Sequence, residues 1–176
     1  MKKYEYKPYN TAFPKLFEKE KERLSKYLLG KYKIEHIGST AVPGLGGKGI
    51  IDIMIAVPKD QMEIISQQAQ KAGYIFRPLA STETRLFLRT EYPEDFSKEN
   101  AYHLHVTFLE SADWREAIAF RDYLITHPEV LNRYSEVKSK AAQEANENTD
   151  KYKSIKGTVL KEIIQKALLQ FGSKSH

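Results

Sequence analysis

The sequence of 176 residues contains no cysteine, so it can form neither a disulfide bond nor a thiolate metal site. It also has no apolar run that approaches the length of a membrane-spanning helix, about 20 residues. The first ten residues, MKKYEYKPYN, lack the apolar core of a signal peptide. We therefore expect a cytoplasmic protein that does not associate with a membrane.

A strong excess of one charge is also lacking. The chain has 28 Lys and Arg against 23 Asp and Glu, which gives a net charge of +5 and a pI near 9.2. Much of this charge is interleaved Lys and Glu, a pattern typical of a solvated surface. Nucleic acid is therefore disfavoured as a partner, and RNA binding is the weakest of the functional hypotheses.

The length and composition fit a globular protein of one domain. Hydrophobic residues make up 41% of the chain and charged residues 29%. We predict one domain over residues 1–176, in which residues 1–110 form the sheet core and residues 111–176 form a helical part.

The most informative stretch is residues 35–57, EHIGSTAVPGLGGKGIIDIMIAV. Its middle part, residues 39–49, holds four glycines, and the apolar run that follows has Asp52 as its one polar residue. An apolar run of this length bounded by Gly and Pro predicts a buried strand. A carboxylate in such a strand needs hydrogen bonds, a cation or a metal ion to offset its burial. Asp52 is therefore a candidate site residue.

Three predicted strands each have one aliphatic face and one face with polar or aromatic side chains, since successive strand residues point to opposite faces. If the aliphatic faces pack on the same helices, the opposite faces meet in one cleft. The residues that would face this cleft are Asp52, Arg85, Arg89, His103 and His105.

The spacing of apolar residues predicts helices over residues 11–29, 59–72 and 111–126 and two more that begin at Pro128 and Thr149. Together with the strands, these helices predict an α/β (α+β) fold. In that fold a mixed or antiparallel sheet is covered by helices on one face, and the C-terminal helices close a cleft on the other.

Several motifs resemble the signature of the GrpB-like family. They are HIGSTAVPGL at residues 36–45, Lys48, IIDI at 50–53, HLHV at 103–106, FRDYL at 120–124, HP at 127–128, Tyr152 and Lys156. The resemblance spans roughly residues 13–167. It implies a nucleotidyltransferase-like fold with a mixed sheet. Family members that are fused to a dephospho-CoA kinase imply a link to adenine nucleotides or coenzyme A precursors, although this chain has no Walker motif of its own.

Nucleotidyltransferase-like enzymes combine a Gly-Ser turn, which positions nucleotide phosphates, with carboxylates that hold divalent metal ions. The resemblance implies that Gly38 and Ser39 form this turn and that Asp52 is the first carboxylate. A second carboxylate usually follows two residues later, where this sequence has Met54. This departure argues against nucleotidyl transfer with two metal ions.

Three interpretations of the cleft residues remain. Asp52, His103 and His105 could be the catalytic residues and the ligands of Mg²⁺, Mn²⁺ or Zn²⁺. Alternatively, the cleft binds a phosphorylated ligand without a metal ion and uses Lys48, Arg89 and the two histidines as donors. In the third interpretation, both histidines are hydrogen-bonded structural residues. Lys138 could assist in phosphate binding. The predicted ligand-binding residues are Gly38, Ser39, Thr40, Lys48, Arg89, Arg121, Tyr152 and Lys156.

The leading functional hypothesis is that the protein binds a nucleotide or a similar phosphorylated metabolite. In the catalytic form of this hypothesis, the protein also transfers a nucleotidyl group with the help of a metal ion. The alternative is a non-catalytic, regulatory module that binds a nucleotide or a coenzyme A precursor. Met54 favours the binding module, whereas Asp52 beside two histidines favours metal chemistry.

Overall fold

A computed structural model describes residues 6–90, 101–145 and 148–171. Its main elements are α1 (Phe13–Ser25), β1 (Lys33–Ile37), β2 (Ile51–Ala56), α2 (Met62–Lys71), β3 (Tyr74–Phe76), β4 (Leu86–Thr90), β5 (Tyr102–Thr107), α3 (Ala112–Thr126), α4 (Pro128–Glu144) and α5 (Thr149–Phe171). The sequence predicted all five helices, and the helix ends that it specified agree with the structure to within a few residues. In the described ranges, no helix combines the length and the apolar character needed to span a membrane.

The five strands form one mixed sheet in the order β1-β2-β5-β4-β3. Strands β2 and β5 are parallel, and the other pairs are antiparallel. The aliphatic β2 lies inside the sheet, where both of its edges are paired. The parallel register places Asp52 beside His103 and Met54 beside His105. All four side chains therefore lie on the same face of the sheet, as the alternation predicted.

The other face of the sheet packs against α1 and α2 to form the main core. Ile53, Leu88 and Leu104 from three strands are fully buried there. Phe17 of α1 and Ile65 of α2 pack on the same cluster. This burial confirms the prediction that the aliphatic faces of the strands share one layer of helices.

The C-terminal helices cover the face that carries Asp52. Ser111 caps α3, since its Oγ accepts a hydrogen bond of 3.0 Å from the backbone N–H of Trp114. Trp114 packs on Met54 in a small buried cluster, so α3 closes one end of this face. The helices and the glycine-rich loop share a second core, which includes Val42, Leu45, Leu124, Tyr134 and Ile163. The predicted α/β architecture, with a mixed sheet and a helix-covered cleft, is confirmed.

Helical periodicity also predicts that Glu20 lies on the solvated face of α1, and this prediction is wrong. Glu20 is only 6% exposed. Its carboxylate accepts hydrogen bonds of 2.9 Å from Arg23 Nε and 2.7 Å from the Tyr74 hydroxyl. Arg23 also donates to the Ala72 carbonyl at 2.7 Å. Glu20, which is buried, and Arg23, which is partly exposed, therefore join α1 to the connection between α2 and β3.

Candidate functional site

A cavity of about 280 Å³ lies between the Asp52 face of the sheet and the C-terminal helices. The sheet side and its loops contribute Gly38, Ser39, Lys48, Asp52 and His103 to the lining, and α3, α4 and α5 form the opposite wall. The glycine-rich loop, β2 and β5 thus meet three helices around one space.

Asp52 is held by two histidines. His103 Nδ1 lies 3.1 Å from Asp52 Oδ1, and His105 Nε2 lies 3.6 Å from the same oxygen. Burial alone would raise the pKa of Asp52, but hydrogen bonds and charge from the two histidines outweigh burial and hold the pKa well below its usual range. Asp52 is therefore an ionised carboxylate at neutral pH.

Gly38 provides the space for this carboxylate. Its φ of 71° and ψ of −167° lie in a backbone region that is essentially restricted to glycine. A Cβ atom at this position would lie 2.5 Å from Asp52 Oδ2. The turn after β1 can therefore pass close to the Asp52 side chain because it contains glycine.

The glycine-rich loop is fixed by the N-terminal segment. Lys7 and Gly47 exchange two backbone hydrogen bonds of 2.7 and 2.9 Å. A Cβ at Gly46 would overlap the Tyr6 ring, and the Tyr6 hydroxyl is hydrogen-bonded to Ser135 of α4. The absence of a side chain at Gly46 thus allows the N-terminal segment to pack directly on the loop.

Lys138 of α4 is the most buried cation of the cavity lining, with 6% exposure. Its Nζ donates a hydrogen bond of 2.7 Å to the Gly46 carbonyl. Burial and the charges of Lys156 and Lys48 lower the pKa of Lys138 to about 7, although Asp52 opposes this change. Any anion that binds nearby would favour its charged form.

Tyr152 of α5 contacts two further lysines of the lining. The distances from its ring centroid are 5.4 Å to Lys48 Nζ and 5.2 Å to Lys156 Nζ, which are within the range of cation–π interactions. Burial lowers the pKa of Lys156, and Asp52 again opposes the effect. The cavity therefore brings together three ammonium groups from the loop, α4 and α5.

Tyr134 lines the cavity, whereas the helical spacing of apolar residues in α4 predicts only that it packs against other helices. It is 4% exposed, and its ring centroid lies 5.8 Å from Lys138 Nζ. A signal was present, because Tyr134 and Lys138 have the same four-residue spacing as Tyr152 and Lys156. Residues four apart share a helical face, so α4 and α5 each present one Tyr-Lys pair to the cavity.

Comparison with known proteins places the chain in a family. The sequence profile described as GrpB protein matches residues 3–166. The chain belongs to the GrpB family. It is 34% identical over 165 residues to a UPF0157 protein of Pseudomonas aeruginosa, and the match covers 92% of this chain and 66% of that protein.

The GrpB fold is shared with a solved structure. The crystal structure of the conserved protein GrpB from Enterococcus faecalis has a TM-score of 0.81 and 28% identity, and the match covers 95% of this chain and 99% of that one. The Cid1 poly(U) polymerase has a TM-score of only 0.45 and 10% identity, over 74% of this chain and 44% of the polymerase. A likeness as slight as the second one gives no information about the reaction.

The cavity of this GrpB family member brings together most of the predicted site residues. Among the described residues, His105, Thr40, Arg89 and Arg121 are not in its lining. His105 and Arg89 lie close by, as the strand neighbours of Met54 and His103. The predicted residues that do line the cavity are Gly38, Ser39, Lys48, Asp52, His103, Tyr152 and Lys156.

Thr40 and Arg121 form contacts that give each of them a structural role. Thr40 is 1% exposed, and its hydroxyl donates to the Ile50 carbonyl at 3.2 Å. Arg121 donates to the carboxylates of Glu35 at 2.6 Å and Asp122 at 2.8 Å. These contacts fix the turn after β1 and join β1 to α3, so a role in ligand binding for either residue stays a prediction.

The Asp52 cluster does not have the arrangement of a metal site. Within the described ranges, no three His, Asp or Glu side chains are placed to hold a metal ion together. His103 and His105 direct one ring nitrogen each at the carboxylate of Asp52. A ring nitrogen that donates its proton to a carboxylate cannot bind a metal ion at the same atom. Hydrogen bonding and metal binding are therefore alternative uses of these atoms, and the metal site stays a prediction.

Proposed function

We propose that the cavity binds the phosphate group of a nucleotide or of a similar phosphorylated metabolite. The observation that supports this most strongly is the buried Lys138 beside Lys156. Burial of ammonium groups costs free energy unless negative charge lies close by. Asp52 supplies part of that charge, but His103 and His105 already engage its carboxylate. A phosphate anion would supply the remainder.

The contacts for such an anion converge at Gly47. Ser39 Oγ and Lys138 Nζ lie 2.7 and 2.8 Å from the position that a Cβ of Gly47 would occupy. A side chain at Gly47 would overlap both groups, so the glycine allows the hydroxyl and the ammonium group to lie close together in the cavity lining. Hydrogen bonds between a cation and a phosphate oxygen are among the stronger ones in proteins. One phosphate group could accept from both residues.

Apolar side chains line the rest of the cavity and suit the organic part of the ligand. They are Leu45, Ile50, Phe120 and Leu160, with the ring of Tyr134. Ligand sites commonly combine apolar walls with a few polar groups that fix the orientation of the ligand. A molecule with one phosphate end and one apolar or aromatic end, such as a nucleotide, matches this distribution.

Nucleotidyl transfer is the second candidate function, and the ionised Asp52 beside the Gly38-Ser39 turn is the observation in its favour. Met54 weakens it, because this residue is 3% exposed, packs on Trp114 and offers no oxygen ligand. Ligand binding without catalysis is therefore the function that the geometry supports best. Adenine nucleotides and coenzyme A precursors are the first ligands to test.

A thermal-shift screen tests the proposal. We expect AMP and 4′-phosphopantetheine to raise Tm without added metal by about 5–10 °C at a hundredfold excess over Kd. Adenosine and pantetheine are the matched controls without phosphate and should leave Tm unchanged. Parallel scans with Mg²⁺, Mn²⁺ and Zn²⁺ test the metal hypothesis. Equal shifts with and without the phosphate group would contradict the proposal.

Phosphate binding at pH 8 should be accompanied by proton uptake. The pKa of Lys138 is about 7 in the free protein, so its amine is mostly neutral at pH 8. A bound anion raises this pKa, together with that of Lys156, against the opposing charge of Lys48. AMP is already a dianion at this pH, so the protons go to the protein. Calorimetry in two buffers of different ionisation enthalpy measures the uptake, and proton release would contradict the assignment.

A further inference from the structure

We infer that the ligand carries its phosphate as a dianionic monoester and that the cavity selects such monoesters over phosphodiesters. The inference rests on the proposed phosphate site. It specifies the charge of the phosphate group and the number of its organic substituents.

The charge of the lining matches a dianion. Lys48, Lys138 and Lys156 line the cavity together with one carboxylate, Asp52. With all three lysines charged, these groups leave two net positive charges. A phosphomonoester carries nearly two negative charges above its second pKa of about 6, whereas a diester carries one. A diester therefore leaves one ammonium group without a counter-charge, or leaves Lys138 neutral and without a charge-assisted hydrogen bond to the phosphate.

The position of the lysines makes this imbalance costly. Lys138 and Tyr134 close the inner part of the cavity with 6% and 4% exposure. An uncompensated charge costs most where water is excluded, so Lys138 is the group that discriminates most strongly between the two kinds of ester. Lys48 is exposed at the rim and contributes less.

The shape of the cavity favours the same ligand. Its volume of about 280 Å³ lies just below the range of about 300–1,000 Å³ that is typical of small-molecule pockets. Ser39 and the buried Lys138 lie close together in the lining beside Gly47, and we call this part of the cavity its inner end. A monoester needs one exit for its organic group, whereas a diester needs space for two substituents around the phosphorus atom. The inner end thus suits a terminal phosphate.

Calorimetry on the wild-type protein at pH 8 tests the inference with AMP and 3′,5′-cyclic AMP. These probes share base and ribose and differ in the charge and substitution of the phosphate. We expect AMP to bind at least about tenfold more tightly, which corresponds to one charge-assisted contact. Methyl phosphate and dimethyl phosphate, titrated by NMR, repeat the comparison without base or ribose.

The ³¹P spectrum of bound AMP gives a second measurement. Free AMP at pH 6 is a mixture of monoanion and dianion, because its second pKa is about 6. The bound phosphate should show the chemical shift of the dianion at this pH.

Three outcomes are possible for the paired probes. Tighter binding of both monoesters supports the inference. Clear binding with equal affinity for AMP and cyclic AMP, or for the two methyl esters, overturns the inference and leaves the phosphate site intact. A lack of binding by all phosphorylated probes overturns the proposed function and the inference with it.

Discussion

Replacement of Lys138 by methionine is expected to weaken AMP binding by about 10- to 100-fold, the range for loss of a hydrogen bond to a charged group. Methionine fills a similar volume without the charge. The free protein should at the same time become more stable at pH 6, because the variant no longer buries an ammonium group that is 6% exposed. A residue whose main role is to bind a ligand should show this combination of weaker binding and higher stability when it is replaced.

The stability effect has a definite pH dependence. The pKa of Lys138 is about 7 in the folded protein and 10.5 for an unperturbed lysine. The cost of burying the charge is therefore fully present below pH 7 and disappears as the pH rises from 7 towards 10.5. Above that range the variant should be slightly less stable than wild type, since the Gly46 carbonyl has lost its donor. Urea unfolding at pH 6 and pH 11 measures both limits.

Lys140→Met is the matched control on the same helix. The Lys140 side chain is 69% exposed and forms only a surface ion pair of 3.7 Å with Glu144. We expect AMP affinity and unfolding free energy to stay close to wild type. Wild-type affinity in Lys138→Met would place the phosphate elsewhere, and destabilisation of that variant at pH 6 would contradict the burial argument.

The two faces of the strands could be predicted from the sequence because alternation is a local property of the chain. Because side chains alternate between the two faces of a strand, Asp52, His103 and His105 could be assigned to one face without knowledge of the strand order. Their distances depend on the parallel pairing of β2 with β5, which joins Asp52 to a residue 51 positions away. No local pattern specifies which strands become neighbours.

The inner part of the cavity was harder to predict, because charged residues on helices are usually solvated. The spacing of Tyr134 and Lys138 shows that they share a helical face, but it does not show that this face turns towards the sheet. Glu20 is a similar case, since its burial depends on Arg23 and Tyr74. Such sites are determined by tertiary packing, which supplies the partner that the polar group needs.

The glycine-rich loop could be located from composition, but the role of its glycines could not. A cluster of glycines predicts a turn. In the structure, Gly46 and Gly47 lie against Tyr6 and Lys7, and Gly47 also lies beside Lys138. Tyr6, Lys7 and Lys138 come from distant parts of the chain, although Ser39, which also lies against Gly47, belongs to the loop. The sequence near the loop therefore gives no indication of the three distant residues.

Gly38→Ala is expected to lower the free energy of unfolding by about 2–6 kcal/mol, from backbone strain and steric overlap together. The strain arises because φ is 71° and ψ is −167°. The overlap arises because the new Cβ would lie 2.5 Å from Asp52 Oδ2 and 3.1 Å from Asp52 Cβ. A carboxylate displaced by the methyl group would also lose its 3.1 Å contact with His103. Urea unfolding at pH 7 measures the loss.

Gly44→Ala separates the two causes. Gly44 also has a positive φ, of 84°, but its nearest neighbour would be Leu131 Cδ2 at 4.0 Å, so this variant has strain without overlap. It should lose less stability than Gly38→Ala. In an Asp52→Ala background the penalty at Gly38 should fall towards that of Gly44, because the carboxylate is gone. An equal penalty for Gly38→Ala with and without Asp52 would show that the backbone alone requires the glycine, and that the position of Asp52 does not depend on it.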